Sequence, residues 1–164
     1  MRAALCSTIL LSLACAPERA QLLRDKLDRA TLSLADAVAV AQLETEQGVG
    51  VEAALTDDAA PVFFVGAVQG VDARKDLRID GVSGDVLGRV DVPEPIVPCP
   101  SQPLAEAIQI AEAQVDGEAT RVIPDDDLQC NRELQVLGRD LTLWSLKLGP
   151  DGAVLVEEED DDAD

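Results

Sequence analysis

The chain has 164 residues, an apolar fraction of 47% and a formal net charge of −19 at pH 7. This length gives one ordinary domain or two small ones, and the negative charge excludes nucleic-acid binding because it repels phosphate backbones. The chain contains no histidine, which excludes Ser-His-Asp and Cys-His catalysis and His-ligated zinc. We therefore predict a protein that is not an enzyme, has no cofactor or metal site, and has cations or basic protein surfaces as its permitted partners.

Residues 1–14 are typical of a bacterial lipoprotein signal peptide. Arg2 precedes an apolar run over 5–13, which is too short to span the roughly 30 Å hydrocarbon core of a membrane. The run ends in Leu13-Ala14-Cys15 and resembles a lipobox, with Ser12 in the place of the usual leucine. We predict that Cys15 carries lipid and becomes the mature N-terminus. Ala16 rather than aspartate follows it, which favours export to the outer membrane of the cell envelope.

The export signal allows two other interpretations. Cleavage without lipidation after Ala14 or Ala16 is compatible with small residues at the required spacing. Pro17 disfavours the second of these bonds because it lacks an N–H and fixes φ. The segment can also be a structural N-terminus.

Three further segments are predicted to lie outside the folded modules. Residues 15–30 mix charges with leucines and predict the anchor followed by a short amphipathic stalk helix. Residues 92–100 contain four prolines and predict an extended, semi-rigid linker. Residues 158–164 are almost entirely acidic and predict a disordered tail.

Two stretches, 34–41 and 104–111, align without gaps and carry apolar residues at helical spacing. Ser33 with Asp36 predicts a capping box at the start of the first helix, and Ser101 predicts an N-cap for the second. The apolar face is formed by residues i, i+3, i+4 and i+7. These are Leu34, Ala37, Val38 and Ala41 in the first helix, and Leu104, Ala107, Ile108 and Ala111 in the second.

After each helix the period changes to two, which predicts strands. They are expected near 50–56, 61–69, 74–80 and 84–91 in the first set, and near 119–124, 132–138, 141–148 and 152–157 in the second. We therefore predict an α+β fold of two tandem modules, residues 31–91 and 101–157. Each module has one helix packed on an antiparallel β-meander of three to four strands.

The pattern resembles the PepSY family, whose module opens with a Ser/Thr-Leu-x-x-Ala-x-x-x-Ala helix and closes with a strand followed by Asp-x-x-x-Gly-x-Val. The second copy departs where Gly149 replaces the aspartate, and both copies lack the tyrosines common in the family's strands. The resemblance implies no catalytic residues and a role in inhibiting or locally regulating a peptidase. The matching residues are Leu34, Ala37, Ala41, Ile79, Asp80, Gly84, Asp85, Val86 and Leu87 in the first copy, and Leu104, Ala107, Ala111, Gly152, Val154 and Leu155 in the second.

Cys99 and Cys130 remain after Cys6 leaves with the signal and Cys15 carries lipid. In an oxidising compartment these two predict a disulfide that closes a loop of about 32 residues. Two separate buried thiols are the alternative. Cys99 and Cys130 are too far apart in the sequence to form a CxxC pair, so we do not expect redox catalysis.

Acidic clusters offer oxygen ligands for Ca²⁺ at three places: Asp57-Asp58, Asp125-Asp126-Asp127 and the C-terminal run. None has EF-hand spacing or a Gly-flanked calcium repeat. We therefore predict solvated loops and a tail, and no metal ligands.

Two functions from different classes fit these features. The first is a non-catalytic, lipid-anchored envelope protein that binds an exported peptidase or another envelope protein and inhibits or regulates it, through a sheet edge or a groove between modules. The second is a structural or weakly cation-buffering acidic envelope lipoprotein with no specific partner.

Overall fold

The computed structural model describes residues 12–46, 48–69, 73–93, 101–125 and 130–159, with the side chains of 12–17 left out. The described part contains three helices and eight strands. The helices are α1 (Ser12–Leu27), α2 (Leu34–Glu44) and α3 (Leu104–Val115). The strands are β1 (Val49–Leu55), β2 (Val62–Gln69), β3 (Ala73–Asp80), β4 (Val86–Val92), β5 (Gly117–Pro124), β6 (Arg132–Gly138), β7 (Leu143–Leu148) and β8 (Val154–Glu159).

All eight strands form one antiparallel sheet in the order β4-β3-β2-β1-β5-β6-β7-β8. The predicted fold class, two separate helix-on-meander modules, is therefore wrong. The two meanders join where β1 pairs with β5, with Ala53 opposite Val122 and Ala54 opposite Arg121. Two separate meanders would each leave an additional edge strand with unpaired N–H and C=O groups. A module of about 60 residues also buries too little surface to be more than marginally stable alone, so joining the two is favoured.

Helices α2 and α3 cover one face of this sheet and contact each other. The predicted apolar faces of both helices are confirmed, because all eight residues that define them are buried. Their alanines permit close packing, and the core between helices and sheet is built mainly from Leu, Val and Ile. Phe63 of β2 is the largest fully buried side chain in the described part of the chain. The helices and sheet therefore share one core.

The two helices start differently. Ser33 caps α2: its side chain accepts a hydrogen bond from the N–H of Asp36 at 3.1 Å, and the Asp36 carboxylate accepts one from the N–H of Ser33 at 3.0 Å. The predicted capping box is confirmed. The N-cap of α3 is Pro103, which makes no side-chain capping bond, so the predicted N-cap at Ser101 is wrong. Proline carries no side-chain acceptor, and the first N–H groups of α3 lack this partner.

The turns between β3 and β4 and between β7 and β8 contain the two described glycines with positive φ, Gly84 at 78° and Gly152 at 85°. This left-handed conformation favours glycine because a side chain would be strained there. In the first turn the Asp80 carboxylate accepts hydrogen bonds from the N–H groups of Val82 at 2.8 Å and Ser83 at 2.9 Å. These bonds form an Asx-turn at Asp80.

Helix α1 includes most of the segment predicted as anchor and stalk. Ala20 and Leu27 are buried in the common core. Lys26 Nζ donates a hydrogen bond to the Thr56 carbonyl oxygen at 2.8 Å, and Arg24 forms an ion pair with Glu118 of β5. These contacts attach α1 to the sheet, and it is not a free stalk in the structure.

Candidate functional site

A cleft of about 590 Å³ lies between α2 and the segment that leads into α3. We call it the inter-helix cleft. Its volume lies in the range of pockets that bind small molecules. The cleft has apolar walls that include Leu43, Val49 and Leu104, and polar residues Ser101, Gln102 and Arg132. No Asp, Glu, Lys or Cys is among the described residues that line it.

Arg132 is the first residue of β6 and is only 8% exposed. Its Nη2 donates a hydrogen bond to Ser101 Oγ at 2.8 Å. Its Nη1 is buried and has no hydrogen-bond partner. Burial lowers the pKa of the Arg132 guanidinium from its ordinary value, because desolvation disfavours the charged form. The cleft therefore holds a buried cation with an unused donor.

Gln102 lies beside Arg132 in the lining of the cleft. Its backbone N–H donates to the Pro150 carbonyl oxygen at 3.1 Å, which fixes this segment to the β7–β8 turn. Both polar atoms of its side-chain amide are buried without a hydrogen-bond partner. Each such group costs about 1–3 kcal/mol relative to a satisfied one. Gln102 and Arg132 carry three of the four buried side-chain atoms that lack a hydrogen-bond partner in the described part of the chain, so these atoms are concentrated at the cleft.

The start of α3 adds a third polar element, since Ser101, Gln102, Pro103 and Leu104 all line the cleft. A helix N-terminus carries partial positive charge and free N–H groups, and Pro103 leaves this one without a side-chain cap. The arrangement can donate hydrogen bonds to an oxygen-bearing, anionic group while its walls contact an apolar chain.

A second, larger groove of about 1180 Å³ is lined by α1, by the turn between β1 and β2, and by residues of β1, β2, β5 and β6. Two of its lining residues are Asp57 and Asp58, which form the first acidic cluster of the sequence. Asp58 Oδ2 accepts hydrogen bonds from Thr56 Oγ1 and Arg78 Nη2, each at 2.5 Å, and these two bonds lower the pKa of the Asp58 carboxyl. In the described residues no group of three or more His, Cys, Asp and Glu side chains is placed to hold a metal ion. Asp126, Asp127 and residues 160–164 lie outside the described part.

The structure leaves the predicted cysteine chemistry untested. Cys15 lies in α1, but its side chain is outside the described set. Cys99 lies outside the described residues. Cys130 precedes β6 with a positive φ of 61°. Lipidation of Cys15 and a Cys99–Cys130 disulfide stay predictions.

The outer strands β4 and β8 form the two edges of the sheet in the described part of the chain. All six residues of β8 are exposed, and they divide into the apolar Val154, Leu155 and Val156 and the acidic Glu157, Glu158 and Glu159. Strand β4 exposes Leu87 and Val90 and has charges of both signs. An edge strand presents backbone groups to which another chain can pair.

Comparison with known proteins gives one similarity in structure. A crystal structure described as a "putative lipoprotein" from Clostridium difficile 630 is 17% identical, covers 79% of this chain and 94% of its own length, and superposes with a TM-score of 0.48. No protein-family model matches the chain, PepSY included, and no curated protein matches it. None of the described helices is long and apolar enough to cross a membrane.

The inter-helix cleft was missed from the sequence. A signal for it was present in the gap-free alignment of the two helix starts, Thr31-Leu32-Ser33-Leu34 and Ser101-Gln102-Pro103-Leu104. At the second position a leucine in one copy corresponds to a glutamine in the other. Arg132 gave no such signal, because its burial depends on the strand pairing of β6.

Proposed function

We propose that this protein is a non-catalytic, lipid-anchored protein of the cell envelope that binds an exported peptidase at the β8 edge and regulates it. The resemblance to the PepSY family suggests that the partner is a peptidase. Lipid anchoring is inferred from the signal peptide, which is followed directly by Cys15. The observation that supports the place of binding is that all six residues of β8 are exposed, with an apolar half beside an acidic half.

The β8 edge suits an extended, basic segment of a partner. Strand addition supplies backbone hydrogen bonds, and alternate side chains then determine specificity. Val156 is 44% exposed, and three glutamates follow it in the same strand. A partner segment that combines apolar and basic residues matches this order. The net charge of −19 increases the rate of its association at low salt.

The anchor holds the folded body near the membrane. Because α1 is attached to the sheet by Ala20, Arg24 and Lys26, only a few residues separate Cys15 from the folded body. One turn of helix is about 5.4 Å long, so the body lies close to the lipid rather than at the end of a long tether. A partner is then met at the membrane surface.

The experiment uses two exposed valines on opposite edges. Val156→Lys on β8 places a cation on the proposed contact, and edge lysines oppose strand pairing. Val90→Lys on β4 is the matched control, since Val90 is 62% exposed on the other edge strand. Purified exported peptidases from the same envelope are mixed with each full-chain variant, and binding and residual peptidase activity are measured.

We expect the wild type and Val90→Lys to bind one of these peptidases and change its activity, and Val156→Lys to bind at least about tenfold more weakly. Equal loss in both variants would place the contact elsewhere. No binding by the wild type would contradict the proposal and favour the structural, cation-buffering alternative. Turnover of substrate by the protein alone would contradict its non-catalytic part.

A further inference from the structure

The inter-helix cleft has a counterpart in the first half of the chain, and the two differ in polarity. Phe63 pairs with Ile79 between β2 and β3, and Arg132 pairs with Leu148 between β6 and β7. The two strand pairs keep the same register two residues further on. Val65 pairs with Leu77 in the first half, and Leu134 pairs with Leu146 in the second. These four residues are buried, as are Phe63 and Ile79. Arg132 therefore occupies in the second half the place that Phe63 occupies in the first.

Gln102 likewise occupies the place of Leu32. The N–H of Leu32 donates to the Gly81 carbonyl oxygen at 3.0 Å, and the N–H of Gln102 donates to the Pro150 carbonyl oxygen at 3.1 Å. Each acceptor lies in the turn that follows the third strand of its half. Leu32 packs against the core, whereas the Gln102 amide is buried without partners.

The second half thus has a guanidinium and an amide where the first half has two apolar side chains. The two polar side chains do not improve the stability of the fold relative to apolar ones, because three of their buried polar atoms lack partners. These atoms are Arg132 Nη1, Gln102 Nε2 and Gln102 Oε1. Buried polar groups without partners are costly, and apolar residues at these places are compatible with the same fold in the first half. A ligand that supplies the missing partners accounts for both residues.

We propose that the inter-helix cleft binds an organic carboxylate that carries an apolar chain. The carboxylate lies beside the Arg132 guanidinium, which supplies the charge, and the uncapped start of α3 adds favourable partial charge. Arg132 Nη1 and Gln102 Nε2 are closed to solvent without a ligand, and they donate to the carboxylate oxygens once both side chains turn toward the cleft. Gln102 Oε1 accepts a hydrogen bond from an N–H of the ligand where one is present. The apolar chain contacts Leu43 and Val49, which are 76% and 52% exposed without a ligand.

The charge balance favours one carboxylate over a polyanion. The chain as a whole carries −19 and repels anions at long range. A single guanidinium buried in the cleft compensates one negative charge at short range, where the interaction is strongest. The volume of about 590 Å³ accommodates a chain of several carbon atoms or the last two residues of a peptide. Free carboxylic acids and peptide C-termini share this chemistry.

The test measures ligand binding by isothermal titration calorimetry. It uses the full chain carrying Cys15→Ser, which is purified without lipid. The probes are octanoate for a free acid and N-acetyl-leucyl-leucine for a peptide C-terminus. Octan-1-ol and N-acetyl-leucyl-leucinamide are their neutral controls. We expect saturable binding of one acid per chain, and binding of each neutral control about tenfold or more weakly. Binding of only octanoate, or of only the peptide, would also support the proposal and would show whether the natural ligand is a free acid or a peptide C-terminus.

Three variants test the residues. Arg132→Leu and Gln102→Leu should each weaken acid binding, by about 10- to 100-fold for the guanidinium and less for the neutral amide. Arg139→Leu removes the same charge from a side chain that is 80% exposed and paired with Asp116, and it should bind like the wild type. If Arg132→Leu does not fold, the proposal is tested by the affinity of Gln102→Leu for the acids and by the affinity of the wild type for the neutral ligands.

Absence of binding by both acids would overturn the proposal, as would equal affinity for acids and neutral controls, or unchanged binding by folded Arg132→Leu. Acid binding in the cleft and peptidase binding at β8 can be tested independently, because Val156→Lys alters β8 and leaves the cleft intact. Failure at β8 with acid binding retained would remove the proposed function and keep this inference.

Discussion

The first half of the chain (31–93) and the second (101–159) have the same order of elements, and they differ most where helix, turn and sheet meet. In the first half Ser33 caps α2, Asp80 accepts two N–H groups in the turn, and Phe63 fills the space below. In the second half Pro103, Gly149 and Arg132 stand at these places. One junction satisfies its polar groups within the chain, and the other leaves donors unused.

A shared backbone arrangement therefore supports two different uses of the same position. Residues that maximise stability close the junction in the first half. At the other junction, buried donors reduce stability and create a cleft. Sites that bind ligands often carry such a cost in stability, which is relieved when the ligand is present.

The largest effect is expected from Phe63→Ala in the first half. Phe63 is fully buried, so its truncation leaves a cavity and should lower the free energy of unfolding by about 3–5 kcal/mol. Chemical denaturation followed by circular dichroism measures this change. A loss below about 1 kcal/mol would show that the first junction is not closed by packing as described.

The predicted disulfide lies outside the first half, because residues 31–91 contain no cysteine. Cys130→Ser should lower the free energy of unfolding by about 3.5 kcal/mol if Cys99 and Cys130 are bridged, since the bridge restricts the unfolded chain. Thiol titration of the denatured wild type, with and without reductant, is the accompanying measurement. Two free thiols before reduction would refute the disulfide.

The two helix starts predict unequal effects of alanine. Ser33→Ala removes the capping box of α2 and should cost about 1 kcal/mol. Pro103→Ala removes no side-chain capping bond and should change the free energy of unfolding by less than about 0.5 kcal/mol. Urea denaturation of both variants tests the difference. Equal costs would mean that Pro103 stabilises α3 in a way that its missing cap does not reveal.

The smallest effect concerns pH. Hydrogen bonds from the backbone of Ser83 and then Val82 lower the pKa of the Asp80 carboxyl in the folded protein. A carboxyl with a lowered folded pKa contributes stability above its unfolded pKa, about 3.9, and loses it as pH falls through the folded pKa. Asp80→Asn should therefore flatten the stability profile below about pH 4, as followed by thermal melting. An unchanged profile in Asp80→Asn would contradict this role of the turn.

Local features of the fold were predictable, and the long-range pairing was not. The spacing of Leu34, Ala37, Val38 and Ala41 determined one helix face, and Ser33 with Asp36 determined its start. The pairing of β1 with β5 depends on backbone edges, which no side-chain pattern in Ala53 or Val122 reveals. The two meanders were therefore assigned to separate modules.

The cleft was predictable only in part, and for a related reason. Gln102 is visible as a polar residue at an apolar place once the two helix starts are aligned. Arg132 alternates with Leu134 and Val136 on the strand face that α2 and α3 cover, yet a terminal arginine of a strand is usually solvated. Arg132 shares its cleft with Leu43 and Val49 of the first half, and the predicted separate modules did not bring these residues together.

If Arg132 and Gln102 serve a ligand and not the fold, apolar side chains at both positions should leave the unliganded protein at least as stable. The double variant Arg132→Leu/Gln102→Leu tests it most directly, because it gives the second junction the apolar character of the first. The free energy of unfolding without ligand is measured by urea denaturation for the wild type and the double variant. We expect an equal or higher free energy of unfolding for the variant, since replacing unsatisfied buried groups with apolar ones is often neutral or stabilising. A value lower than that of the wild type by more than about 2 kcal/mol would contradict it.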